Sequence, residues 1–189
     1  GILVKDRLAL ERMRTIDTVL FDKTGTLTAG QHAVTGLAAV ADLDDGAVLA
    51  LAGAVEADSE HPLARAIVSA ARARGVVPTA TGFRSITGRG VEATVERRNV
   101  SVGGPALLRQ MELGEPPEIA AAADAWRARG AAVLYVVRDG EVVGALALED
   151  EIRPESRQAV DDLHRLGIRV VMITGDARQV ADAVGAELG

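Results

Sequence analysis

The sequence has no cysteine among its 189 residues, which excludes disulfides and thiolate metal centres within the chain. Aromatic residues are nearly as scarce, with one tryptophan, one tyrosine and two phenylalanines. Its core therefore has to be built from many small Ala, Val and Leu side chains rather than a few large anchors. No stretch approaches the roughly 18 apolar residues of a membrane span. The longest candidate, residues 47–55, is short and reads as a buried helix. Lys5, Asp6 and Arg7 interrupt the start, so no secretory signal pattern is present. Positive charge is in deficit: 21 Lys and Arg stand against 27 Asp and Glu, a net charge of -6. That argues against nucleic acid as a partner, which selects basic patches. Apolar residues are abundant at 48%. The bulk composition describes a soluble, acidic, globular chain, read as a monomer.

Two textures alternate along the chain. Residues 1–14 have a helical pattern. The short apolar run TVLF at 18–21 is followed at once by Asp22 and a Gly/Thr-rich turn. This is the form of a buried parallel strand carrying a polar residue at its C-terminal end, where open α/β sheets bind ligands. From Gly30 to Leu148 the pattern changes. Helices are expected over 44–56, with Asp44 and Asp45 at a capping position, and over 61–74, ending before Gly75. Alternating segments at 83–87, 91–96 and 100–103 predict strands, the second and third joined by a turn at 97–99. Helices are expected over 105–111 and 117–129. Strands at 132–137 and 141–148 flank Asp139-Gly140, a hairpin signal. After Glu149 the α/β texture returns with a helix over 154–166 opened by Pro154. A second apolar strand at 169–173 runs into Thr174-Gly175-Asp176, and a last helix covers 178–188. The expected fold is α/β: a Rossmann-like module, residues 1–30 and 149–189, with an α+β antiparallel-sheet domain, 31–148, inserted in it.

Two strands thus end in phosphate-sized signals, Asp22 and Thr174-Gly175-Asp176, which parallel pairing would bring to one sheet edge. A carboxylate there can attack a phosphoryl group and form an acyl phosphate. Lys23 supplies positive charge, and Thr24, Thr26 and Thr174 supply hydroxyls. Gly25 and Gly175 let backbone N–H groups approach a phosphate. Phosphoryl transfer asks mainly for positioning and charge neutralisation. Mg²⁺ would be held by carboxylates together with phosphate oxygens and water.

The run DKTGTLT, residues 22–28, resembles the phosphorylation signature of P-type ATPases in the haloacid-dehalogenase-like superfamily. Thr174-Gly175-Asp176 and the DxxR run from Asp150 to Arg153 stand where that family's phosphorylation domain has them. The resemblance implies that Asp22 accepts the γ-phosphate of ATP, that Lys23, Thr24, Thr174, Gly175 and Asp176 assist, and that Asp22 and Thr24 contribute to the Mg²⁺ site. The inserted module is then the nucleotide-binding domain. SEHPLARAI, residues 59–67, resembles the His-Pro signature of the heavy-metal-transporting class. That likeness implies adenine binding by His61, with Glu56 five residues upstream, Pro62 fixing the histidine before a helix, and the GxG turn Gly88-Arg89-Gly90. The family's later Gly-Asn is Gly103-Gly104 here, so Gly103 is carried over for its backbone and Gly104 is not.

The family's phosphorylation domain continues into a lysine and a GDGxND run that Gly189 precedes, and its membrane helices are absent. The expectation is therefore a piece of a longer membrane protein, on the cytoplasmic face, that binds nucleotide without completing catalysis. A soluble phosphatase of the same superfamily is the rival enzyme, but such enzymes have a second Asp two residues after the nucleophile, where this chain has Thr24. A purely regulatory nucleotide-binding module is a third reading, which the intact DKTGTLT opposes. His32 and His164 read as surface residues, and Asp42, Asp44 and Asp45 as a helix start. The transported ion is not legible.

Overall fold

The computed structural model describes residues 6–40, 42–175 and 178–189. Their elements run α1 (Arg7–Arg12), a 3-10 turn (Met13–Thr15), β1 (Thr18–Asp22), β2 (Thr28–Ala39), α2 (Asp45–Glu56), α3 (Pro62–Arg74), β3 (Ala80–Ile86), β4 (Gly90–Val95) and β5 (Arg98–Gly103). There follow α4 (Pro105–Gln110), α5 (Pro117–Ala128), β6 (Ala132–Arg138), β7 (Glu141–Ile152), α6 (Pro154–Arg165), β8 (Arg169–Ile173) and α7 (Arg178–Leu188). The chain divides into two compact units, one made of residues 1–30 and 152–189, the other of 31–151.

In the first unit β1 and β8 pair in parallel, with Asp22 opposite Ile173. Leu27, Val160 and Leu188 are its fully buried apolar side chains, joined by Phe21, Ile152, Val170 and Met172. The helix expected over 1–14 is described only from Arg7, where it is α-helical to Arg12. Its first five residues lie outside the described residues, as does Asp176 at the far strand end.

The second unit is a six-stranded sheet in the order β2-β7-β6-β5-β4-β3, and it is buried on both faces. Alternate residues of β6 serve opposite cores. Leu134 and Val136 join Leu49, Ile67 and the α2–α3 side. Val133, Tyr135 and Val137 join Leu107, Ile119 and Trp126 on the α4–α5 side. This explains why β6 and β7 read as near-continuous apolar runs rather than as polar-apolar alternation. Small residues bring the layers close. A Cβ on Gly53 of α2 would stand 2.5 Å from that of Ala71 on α3, and one on Gly144 of β7 would stand 2.5 Å from Val48.

The segment 28–39, for which the sequence predicts no element, is the twelve-residue strand β2, and two expectations are corrected. The turn between β4 and β5 is Glu96-Arg97, both with positive φ, rather than residues 97–99. A two-residue hairpin of the type I′ kind matches strand twist with positive φ at both central positions, and here non-glycine residues adopt it. Finally, β7 continues past Leu148 to Ile152. The Asp139-Gly140 hairpin forms as expected, with φ values of 49° and 86°. The Asp139 carboxylate accepts from Arg98 Nη1 at 2.7 Å and the Asn99 amide at 2.9 Å.

Candidate functional site: a nucleotide-sized cleft and a strand-end carboxylate

The second unit contains a cleft of about 770 Å³, within the size range of small-molecule sites. The end of α2 supplies Glu56 and the start of α3 supplies His61. The turn after β3 supplies Gly88 and Arg89, the start of β4 Gly90, and the end of β5 Gly103. Five of the six residues predicted for this site therefore line one cavity. Pro62 does not line it. It occupies the first turn of α3 and fixes the chain at His61.

Glu56 is 6% exposed, and its Oε2 has no hydrogen-bond partner among the described residues. Burial pushes its carboxyl above the ordinary range, while a hydrogen bond with Ser59 and the nearby His61 pull it down. An orphaned acceptor in a cleft costs free energy unless a ligand donor meets it. His61 caps α3: its Nδ1 accepts from the Leu63 amide at 3.2 Å. In the neutral ring that bond leaves the proton on Nε2, so capping and ligand contact use different nitrogens. Gly90 and Gly103 pair directly across β4 and β5. The chains approach so closely that a Cβ on Gly90 would lie 2.1 Å from the Val102 carbonyl oxygen, and one on Gly103 would lie 2.2 Å from that of Arg89. Gly88 has φ +70° with open space around it, so its need is for the turn alone. Apolar walls come from Leu63, Phe83, Ile86 and Leu134, and Gly104, set aside in the sequence, also lines the cleft. The apolar wall residues belong to ordinary strand and helix patterns, so nothing in the sequence marked them.

In the first unit, Asp22 ends β1 and is exposed. Register places it opposite Ile173, so Thr174 and Gly175 follow at the same sheet edge. Thr24 (φ -76°, ψ 122°) and Gly25 (φ 78°, ψ -4°) are the two central residues of a type II turn, which demands glycine second. Lys23 is 8% exposed. Thr28 Oγ1 donates to the Lys23 carbonyl at 3.0 Å and accepts from the Gly25 amide at 3.2 Å. Residues at the start of α6 hold the other carbonyls. The Arg153 amide and Ser156 Oγ donate to Leu27 O at 2.9 and 2.8 Å. Arg153 Nε donates to Thr28 O at 3.0 Å. The sequence named Arg153 only as part of a motif, and it missed Ser156 as a loop support because the backbone carbonyl it bonds is 129 residues away. Thr28, whose Oγ1 partners Lys23 and Gly25 are local, was read only as the end of the DKTGTLT run.

His32 and His164 are exposed, and Asp44 caps α2 by accepting from the Ala47 amide at 2.7 Å. No group of three or more acidic or histidine side chains suited to a metal occurs among the described residues. No helix of the described residues is long and apolar enough to cross a membrane.

The sequence matches the haloacid dehalogenase-like hydrolase family over residues 16–189. Its whole length is 43% identical to 25% of a probable copper-exporting P-type ATPase V of Mycobacterium tuberculosis. A crystal structure of a zinc-transporting PIB-type ATPase superposes on 96% of the chain with a TM-score of 0.86 and 36% identity, over 29% of that structure. The catalytic domain of the CPx-ATPase CopB-B matches 99% of the chain and 65% of its own, at TM-score 0.64 and 27% identity. The chain thus spans about a quarter of the length of the curated relatives it matches. With its strand-end aspartate and its inserted antiparallel domain, the chain is similar over its length to part of these heavy-metal P-type ATPases, and it belongs to the haloacid dehalogenase-like hydrolase family.

Proposed function

We propose that this chain is the ATP-binding and aspartyl-phosphorylation region of a heavy-metal cation-transporting P-type ATPase. Residues 31–151 act as the nucleotide-binding domain, and residues 1–30 with 152–189 as part of the phosphorylation domain, on the cytoplasmic face of a membrane protein. The observation that carries the reading is the buried Glu56 carboxylate, unpartnered at Oε2, in a cleft of nucleotide size. An adenine amino group is a donor of the kind that oxygen lacks. His61 offers Nε2–H and a ring face, and the close Gly90–Gly103 backbone leaves no side chain between the ligand and the strands.

Asp22 is the phosphoryl acceptor. A carboxylate oxygen attacks the γ-phosphorus, the bond to the β–γ bridging oxygen breaks, and ADP leaves with that electron pair. Gly25 and Gly175 keep the loop backbones open to the phosphoryl oxygens. Asp22 and Thr24 offer hard oxygen donors, which suits a Mg²⁺ ion that takes one or two carboxylates and completes its shell with phosphate and water. That ion would neutralise charge on the transferring group. Thr24, where a phosphatase would have an acid, leaves the acyl phosphate without a neighbouring proton donor for rapid hydrolysis.

Two experiments test the reading. Titration of labelled chain with a non-hydrolysable ATP analogue should perturb the resonances of Glu56, His61, Gly88 and Gly90, and no response there would overturn the site. In the full-length protein, γ-labelled ATP should give a hydroxylamine-labile label that Asp22→Asn abolishes. Labelling that survives this substitution would remove Asp22 from the mechanism.

A further inference from the structure

We infer that Arg89 is the residue by which the cleft distinguishes nucleotides by their phosphate charge. This deepens the nucleotide reading above and rests on it. Three carboxylates line the cleft, Glu56, Asp58 and Glu60, and Arg89 is its only lysine or arginine among the described residues. A cleft of that balance repels a polyanion unless the one cation is directed at it.

The backbone of Arg89 is fixed on both sides. Its amide donates to the Ile86 carbonyl at 2.9 Å, and its own carbonyl fills the space a Cβ on Gly103 would need. The guanidinium is tethered once, by Nη1 donating to Gln110 Oε1 at 2.9 Å. The nature of that tether is informative. Arg84, Arg98, Arg127 and Arg129 in the same unit are each held by a carboxylate. Arg89 is held by a neutral amide, which orients the fork while leaving its charge uncompensated. Four of its five N–H donors remain for a ligand, and planar guanidinium is suited to paired phosphate oxygens. Glu56 and Arg89 then divide the work: an acceptor for the base amino group, a cation for the phosphates.

The test is calorimetric titration of the chain with adenosine, AMP, ADP and ATP. Wild type should bind more tightly as phosphates are added. Arg89→Ala should lose about tenfold in ATP affinity, leave adenosine within about twofold, and flatten the salt dependence of ATP binding. Gln110→Glu provides a second variant that keeps Arg89 and its tether but supplies a neutralising carboxylate. It should weaken ATP about threefold or more without lowering the melting temperature. If Arg89 only fastened α4 to the turn, the stronger ion pair in Gln110→Glu would leave ATP affinity intact, and that result overturns the inference. So does an equal loss of adenosine and ATP in Arg89→Ala. A wild-type chain that binds none of the four overturns the nucleotide reading itself and this inference with it. A chain that binds adenosine and ATP equally overturns the inference alone.

Discussion

Gly90 and Gly103 face each other across β4 and β5 at a separation that excludes any side chain on either, because each would drive a Cβ into a neighbouring carbonyl oxygen. The two glycines are thus demanded by the protein's own backbone before any ligand is considered. Gly90→Ala or Gly103→Ala must spread the strands. Overpacking of this kind costs about 1–3 kcal/mol, and ATP affinity should fall in parallel because the cleft wall moves. Gly88→Ala meets open space and strains only the left-handed φ, at about 1 kcal/mol. Thermal melts of the three variants with matched ATP titrations check the order. Equal behaviour of Gly88 and Gly90 would contradict it.

Glu56 yields a prediction in which stability and binding move in opposite directions. Burial raises its carboxyl above the ordinary value. A folded-state pKa above the unfolded one means the group favours folding when protonated, and that contribution is lost as pH rises through the folded value. Above the unfolded value, wild type therefore carries a destabilising cost from this buried carboxyl. Glu56→Gln should raise the urea midpoint at neutral pH, by up to about 1–3 kcal/mol in unfolding free energy. The advantage should vanish as pH falls below about 4, where unfolded glutamate is protonated too. ATP binding should weaken in the same variant, since the amide offers a weaker acceptor. A destabilised Glu56→Gln at neutral pH would show that Glu56 Oε2 has a partner in the folded chain.

How much of this was legible in the sequence depends on the type of constraint. Turn chemistry and capping are local, so Asp139-Gly140, Asp44 and Pro62 announced their structures. The strand-end aspartate and the His61 region were carried by motifs. The strand β2 was not legible, because it contains two glycines and several alanines where a strand usually has bulky residues. Gly36 shows why: a Cβ there would lie 2.6 Å from the Trp126 indole, so the packing of the one tryptophan removes the signal that would have marked the strand. The Glu96-Arg97 turn failed for the opposite reason, since neither residue type favours the positive φ it adopts. Loop support by Ser156 was invisible because a hydroxyl bonded to a distant carbonyl leaves no trace in sequence spacing.

His61 combines two roles that substitutions can separate. Nδ1 caps α3 through the Leu63 amide, and the rest of the ring lines the cleft. Removing a capping acceptor costs about 1 kcal/mol. His61→Ala should lose both that stability and ATP affinity. His61→Asn keeps a capping oxygen and should restore the melting temperature while leaving ATP binding impaired. Recovery of ATP affinity by asparagine would reduce the histidine to a cap.

Tyr135, the only tyrosine in the chain, reports on the far side of the sheet. Its hydroxyl donates to Glu115 and accepts from Arg127 Nη1 at 2.7 Å, and Arg127 also bonds Glu115 and Asp124. Burial, followed by the Glu115 contact, pushes the phenol up to about 12. Its ordinary value is about 10. The folded state is therefore favoured while the phenol is protonated, and that contribution begins to be lost once the unfolded chain ionises above about 10. Unfolding free energy measured against pH should decline between about 10 and 12, with tyrosinate absorbance appearing late in the folded protein. Tyr135→Phe should cost about 1 kcal/mol at neutral pH and reduce that alkaline decline. A tyrosinate signal that rises near 10 in the folded chain would mean that the Tyr135 hydroxyl, held between Glu115 and Arg127, is open to water.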